Sequence, residues 1–75
     1  MKGDGKVFLK EANLSTNERE IVRLIAKEYP DQLIAYHLNK TEADVKHDII
    51  SISDKLDANT RAEIVTHAYY YQLLP

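Results

Sequence analysis

Three times in this chain a serine or threonine is followed three residues later by a carboxylate and then by an apolar stripe, and that punctuation limits the fold more than any other feature. The pairs are Ser15 with Glu18, Thr41 with Asp44, and Thr60 with Glu63. In such a capping box the hydroxyl accepts a backbone N–H of the first helical turn while the carboxylate reaches back to the cap, so each pair predicts a helix start. The stripes agree. Ile21, Val22, Leu24 and Ile25 follow the first box, with Leu14 before it as a possible staple. Val45, Ile49, Ile52 and Leu56 follow the second at spacings of four, three and four. Ile64, Val65, Ala68 and Tyr71 follow the third, for which Asn59 is the alternative cap. Between the first and second, Pro30 is expected to close a helix, because the residue before a proline is steered away from helical angles. Asp31 is expected to cap a short helix that buries Ile34, Ala35 and Leu38 and ends near Asn39. The one β-leaning run, 49–52, fits the helical period better. The prediction is an all-α fold of four helices.

With 75 residues there is room for one small core, and with no cysteine that core works without disulfides or thiolate metal sites. Residues 1–13, with two glycines and three lysines around Val7, Phe8 and Leu9, read as a linker or N-terminal arm to a domain over 14–75, and as the joint to an upstream domain. On the first helix Glu18, Arg19, Glu20, Arg23 and Lys27 are expected on the wet side. No apolar run approaches the roughly 18 residues of a membrane span, and no hydrophobic leader opens the sequence, so a cytoplasmic protein without a membrane partner is expected. His37, His47 and His67 fall on three different helices without metal-ligand spacing. No Ser/His/Asp arrangement or nucleotide loop accompanies them, so neither an enzyme nor a cofactor is expected.

The short second helix, the tight Asn39-Lys40-Thr41 turn and the longer third helix together form a helix-turn-helix pattern. A helix in the second position can stand clear of the core and enter a major groove. With 45, 49, 52 and 56 turned inward, the third helix presents Lys46, His47 and Ile50 outward, followed by Ser51 and Asp54. A lysine can donate to guanine or phosphate, a histidine can work at a base edge, and an isoleucine can cover a thymine methyl. The charge balance runs the other way. The chain carries a formal net charge of -2, and 41–56 holds two lysines against Glu42, Asp44, Asp48 and Asp54. Asp44 reads as a cap residue that complements the helix dipole, Asp48 as a partly buried acceptor, and Asp54 as solvated.

Over about 14–73 the chain resembles the LuxR-type (GerE-like) helix-turn-helix domains of bacterial transcription regulators. The likeness rests on Leu14-Ser15-x-x-Glu18-Arg19-Glu20, Leu24-Ile25-Ala26, Ile34-Ala35-x-x-Leu38, Val45-Lys46, Lys55-Leu56 and Arg61-x-Glu63. Where that family has glycines, Glu28 and Asp57 stand here. The resemblance implies a four-helix DNA-binding output domain, of response-regulator or quorum-sensing type, whose recognition helix at about 41–56 reads double-stranded DNA. It implies DNA contacts from Lys46, His47, Ile50 and Val45, and backbone contacts from Thr41, Lys40 and Arg61. It also implies a homodimer through the fourth helix, and a sensor or receiver domain upstream. Tyr69, Tyr70 and Leu73 are the candidate dimer residues, because three consecutive tyrosines at 69–71 cannot all face one small core. The alternative is a protein-interaction or dimerisation module of the same fold, with DNA binding weakened by the acidic recognition helix.

Overall fold

The computed structural model describes residues 14–71, 73 and 74. They form four helices: α1 (Thr16–Ala26), α2 (Asp31–Leu38), α3 (Glu42–Leu56) and α4 (Arg61–Tyr70). No strand occurs among the described residues. The arm expected over 1–13, including Val7, Phe8 and Leu9, lies outside them.

The expected stripes meet in one core. Ile21, Val22, Leu24 and Ile25 of α1 pack with Ile34 and Ala35 of α2, Val45, Ile52 and Leu56 of α3, and Ile64 and Ala68 of α4. Leu14, Ala58 and Leu74 close its ends, and Leu38, Ile49, Val65 and Tyr71 lean on it from the rim. Burial of each Leu, Ile or Val side chain contributes roughly 1.5–3 kcal/mol, the main return a cysteine-free chain of this length has against its conformational entropy.

The caps at α1 and α3 are complete boxes. Ser15 Oγ accepts the Glu18 N–H at 3.1 Å while Glu18 Oε1 accepts the Ser15 N–H at 2.9 Å. Thr41 Oγ1 accepts the Asp44 N–H at 3.0 Å, and Asp44 Oδ2 accepts the Thr41 N–H at 3.4 Å. At α4, Thr60 is the cap and its Oγ1 accepts the Glu63 N–H at 3.1 Å. The Glu63 carboxylate reaches one residue further back, to the Asn59 N–H at 2.7 Å.

Three expectations need correction. Asp31 does not cap α2: Pro30 occupies the cap position without a side-chain bond, and Asp31 is the first helical residue. Pro30 does not end α1 either. The helix stops at Ala26, and Glu28 turns to φ 66° while its N–H meets Ile25 O at 2.8 Å and the Tyr29 N–H meets Leu24 O at 3.1 Å. That pair of bonds is a Schellman closure, which satisfies the last carbonyls by placing one residue in the left-handed region. Asn39 (φ 57°) and Asp57 (φ 54°) close α2 and α3 in the same way. Finally, Glu18 is 7% exposed and not on the wet side. Besides its cap bond it accepts from Lys55 Nζ at 2.8 Å and Ser51 Oγ at 3.1 Å, tying the start of α1 to the last turns of α3. Burial pushes the Glu18 carboxyl up, but the hydrogen bonds from Lys55, Ser15 and Ser51, together with the Lys55 charge, bring it below its ordinary range.

Candidate nucleic-acid interface

The α2–α3 pair is joined by a turn in which Asn39 takes the left-handed conformation and Thr41 begins α3. The orientation of this pair is fixed on one side by a polar bracket. Lys40 Nζ binds the Asp48 carboxylate of α3 and donates to Asn17 Oδ1 at 3.1 Å, while Asn17 Nδ2 donates to Asp48 Oδ2 at 3.2 Å. The bond from Lys40 lowers the Asp48 pKa more than burial raises it, with Asn17 and the Lys40 charge adding to the effect. Asp48 is thus the part-buried acceptor expected from the sequence. Lys40 serves the fold here, and a phosphate would have to take it from Asp48.

Opposite the core, α3 offers Lys46 with 60% of its side chain exposed, the exposed His47, and Ile50 at 65% exposure. Val45, counted among the DNA-contacting residues by resemblance, is corrected to a core residue. It has 0% exposure, being one residue round the helix from Lys46 and turned toward the centre of the bundle. Thr41 is exposed at the start of α3; its oxygen accepts the Asp44 N–H, which leaves its hydroxyl hydrogen to donate. Of the four carboxylates between 41 and 56, Asp48 is part-buried and neutralised by Lys40; Asp44 closes a cap but is exposed, as are Glu42 and Asp54.

Two predicted contact residues from different helices come together at a residue the sequence reading had given another role. Lys46 Nζ of α3 lies 3.0 Å from Asp31 Oδ2, and Arg61 Nη1 of α4 donates to Asp31 Oδ1. Arg61 Nη2 also donates to Tyr29 O at 2.8 Å, and Glu42 stands 3.9 Å from Lys46. Burial raises the Asp31 pKa, but the bonds and charges of Lys46 and Arg61 outweigh it and hold the carboxyl below its ordinary range. No local signal could have disclosed this hub, because the partners sit 15 and 30 residues along the chain.

On α4, Tyr69 and Tyr70 are more than half exposed, whereas Leu73 and Tyr71 pack partly against the core. Tyr70 meets Tyr71 edge to face with ring centroids 5.4 Å apart. Of the histidines, His67 donates from Nδ1 to Leu56 O at 2.7 Å, and His37 lies against Tyr29 and Tyr36. Among the described residues no helix is long and apolar enough to cross a membrane.

No curated protein and no solved structure gives a significant match to the chain. A family model does match: GerE, described as bacterial regulatory proteins of the luxR family, over residues 12–68. Those residues include the three side-chain caps at Ser15, Thr41 and Thr60, the left-handed closures of α1 to α3, the turn, the outer face of α3 and most of α4. This is a family of DNA-binding regulatory domains and not of enzymes. With the match covering most of its length and the four helices in place, the chain belongs to the luxR family of bacterial regulatory proteins.

Proposed function

We propose that this domain is the sequence-specific DNA-binding output unit of a bacterial transcription regulator, of response-regulator or quorum-sensing type, with α3 in the major groove of double-stranded DNA. The observation that carries the reading is the outer face of α3, where Lys46, His47 and Ile50 project away from the core while Asp44 and Asp48 are engaged within the fold. In this reading Lys46 donates to a guanine edge or a phosphate, His47 works at a neighbouring base edge, and Ile50 covers a thymine methyl. Thr41 and Arg61 hold the backbone on either side of the groove, and Lys40 sets the angle of α3 without touching DNA. Tyr69 and Tyr70 of α4 form the contact between two copies, and a sensor or receiver domain governs when they pair. The alternative, a protein-binding module whose third helix has lost DNA, draws on the exposed Glu42 and Asp54. It is the weaker reading, because Asp48 is part-buried and paired with Lys40 and Asp44 is engaged in the Thr41 cap.

The test is a fluorescence-anisotropy titration with mixed-sequence duplex at low ionic strength. A complex that weakens steeply with salt is expected, and Lys46→Ala should weaken it about tenfold and lower the salt slope by about one. Absence of any complex would refute the reading.

A further inference from the structure

Asp31, Lys46 and Arg61 line one open cleft of about 780 Å³, between the end of α1 and the starts of α2, α3 and α4. Within it the exposure is uneven: the Asp31 side chain is 17% exposed, against 60% for Lys46 and 42% for Arg61. The two cations therefore face solvent over an anion lodged beneath them. Each carboxylate oxygen is matched to a different cation, Oδ2 to Lys46 and Oδ1 to Arg61, and Tyr29 O fixes the second arm of the guanidinium. Two oxygens of a DNA phosphate bridging Lys46 and Arg61 would make the same pair of charge-assisted bonds. Glu28 and Glu42 stand on the rim of the same cleft, and among the described residues no further cation joins Lys46 and Arg61 in its lining.

We propose that Asp31 is a built-in competitor for the DNA backbone: its carboxylate occupies Lys46 and Arg61 in the free domain, and a phosphate must share or displace it to dock. The inference rests on the DNA-binding reading and adds to it a residue that sets affinity. A phosphate that reaches Lys46 comes within one Debye length of Asp31, about 8 Å at physiological ionic strength, so salt only partly screens the carboxylate from it. The Asp31 carboxyl is charged at neutral pH, since its two partners hold it below the ordinary carboxylate range after burial has raised it. The domain is thereby tuned to bind weakly as a single copy and to depend on a second copy, or on an operator that supplies compensating base contacts. Together with Asp48 on Lys40 and Glu42 beside Lys46, the Asp31 carboxylate leaves the surface little free positive charge.

The experiment compares wild type, Asp31→Asn, Asp31→Glu and Asp54→Asn in the 75-residue chain, titrated with a mixed-sequence 30-base-pair duplex across a salt series. Asp31→Asn should bind about tenfold tighter and steepen the slope of log Kd against log salt by about one unit. Asp31→Glu, which keeps the charge, should stay near wild type. Asp54→Asn, which removes the same unit of charge without releasing a cation, should gain no more than about twofold. In a Lys46→Ala, Arg61→Gln background the gain from Asp31→Asn should vanish. Should Asp31→Asn lose its helical circular dichroism, Asp31→Ser serves with the same expectations. Equal gains for Asp31→Asn and Asp54→Asn, a gain that survives loss of both cations, or no gain at all would overturn the proposal while leaving DNA binding intact. If neither wild type nor any variant forms a complex, both the proposal and the functional reading on which it rests are refuted.

Discussion

Glu18 shows how much one side chain can carry when its neighbours are arranged around it. It closes the box with Ser15, accepts from Ser51, and pairs with Lys55 while almost fully buried. A charged hydrogen bond in such a setting is worth roughly 1.5–3 kcal/mol, less here because Lys55 keeps about two-fifths of its side chain in solvent. Glu18→Gln is therefore expected to lower stability by about 1–2 kcal/mol at neutral pH, or roughly 4–16 °C in Tm for a domain of this size. The pH dependence follows from the direction of its pKa. Glu18, Asp31 and Asp48 are all lowered in the fold, so the stability they contribute is fully present above the ordinary carboxylate range near 4 and is lost as pH falls through their lower folded values. Urea unfolding of wild type should weaken from about pH 4 downward, and the gap to Glu18→Gln should close as pH falls below the ordinary carboxylate range. A gap that persists in acid would deny Glu18 its charge-dependent role. The sequence disclosed the bond of Glu18 to its own helix, because the spacing is local. It did not disclose Ser51 and Lys55, since a contact spanning 33 or 37 residues leaves no trace in periodicity.

The helices themselves were legible because their starts and buried faces are written in nearest-neighbour chemistry. Ser15, Thr41 and Thr60 all begin helices as expected, and the stripes at 21–25, 45–56 and 64–68 all reach the core. Helix ends were harder. Pro30 drew attention as a terminator, whereas the chain had already turned at Glu28. The resemblance had marked Glu28 and Asp57 as standing where glycines are usual, and both occupy left-handed angles, a conformation that costs a residue with a β-carbon about 1–2 kcal/mol. Asparagine and aspartate tolerate it better than glutamate. Glu28→Gly is accordingly expected to stabilise the domain by about 0.5–1 kcal/mol after the added freedom of the unfolded chain is counted, and Asp57→Gly by less. Thermal unfolding of the two variants measures this directly; a lower Tm for Glu28→Gly would mean that its side chain holds the joint in some other way.

For the whole molecule, four helices around one small core leave two tyrosines of α4, Tyr69 and Tyr70, more than half exposed, on a different helix from the α3 outer face. If two copies meet there on DNA, Tyr69→Ser with Tyr70→Ser should abolish cooperative binding to paired sites and leave single-site affinity within about twofold, as gel shifts on one-site and two-site duplexes would reveal. Loss of single-site affinity instead would move the tyrosines out of the dimer contact. That some of three consecutive tyrosines face outward was expected from the sequence, whereas the Asp31 hub lies beyond a linear reading, because it depends on which residues the folded chain brings together.

The three left-handed joints at Glu28, Asn39 and Asp57 have a mechanical meaning as well. No glycine stands anywhere between 14 and 74, so each corner between helices is made by a residue with fewer accessible backbone angles than a glycine would have there. If α3 reads DNA as proposed, a domain cornered in this way has less freedom to mould itself to an imperfect site. The accommodation would fall to the duplex, and sequences that bend or widen at low energetic cost would be favoured even at base pairs no side chain reaches.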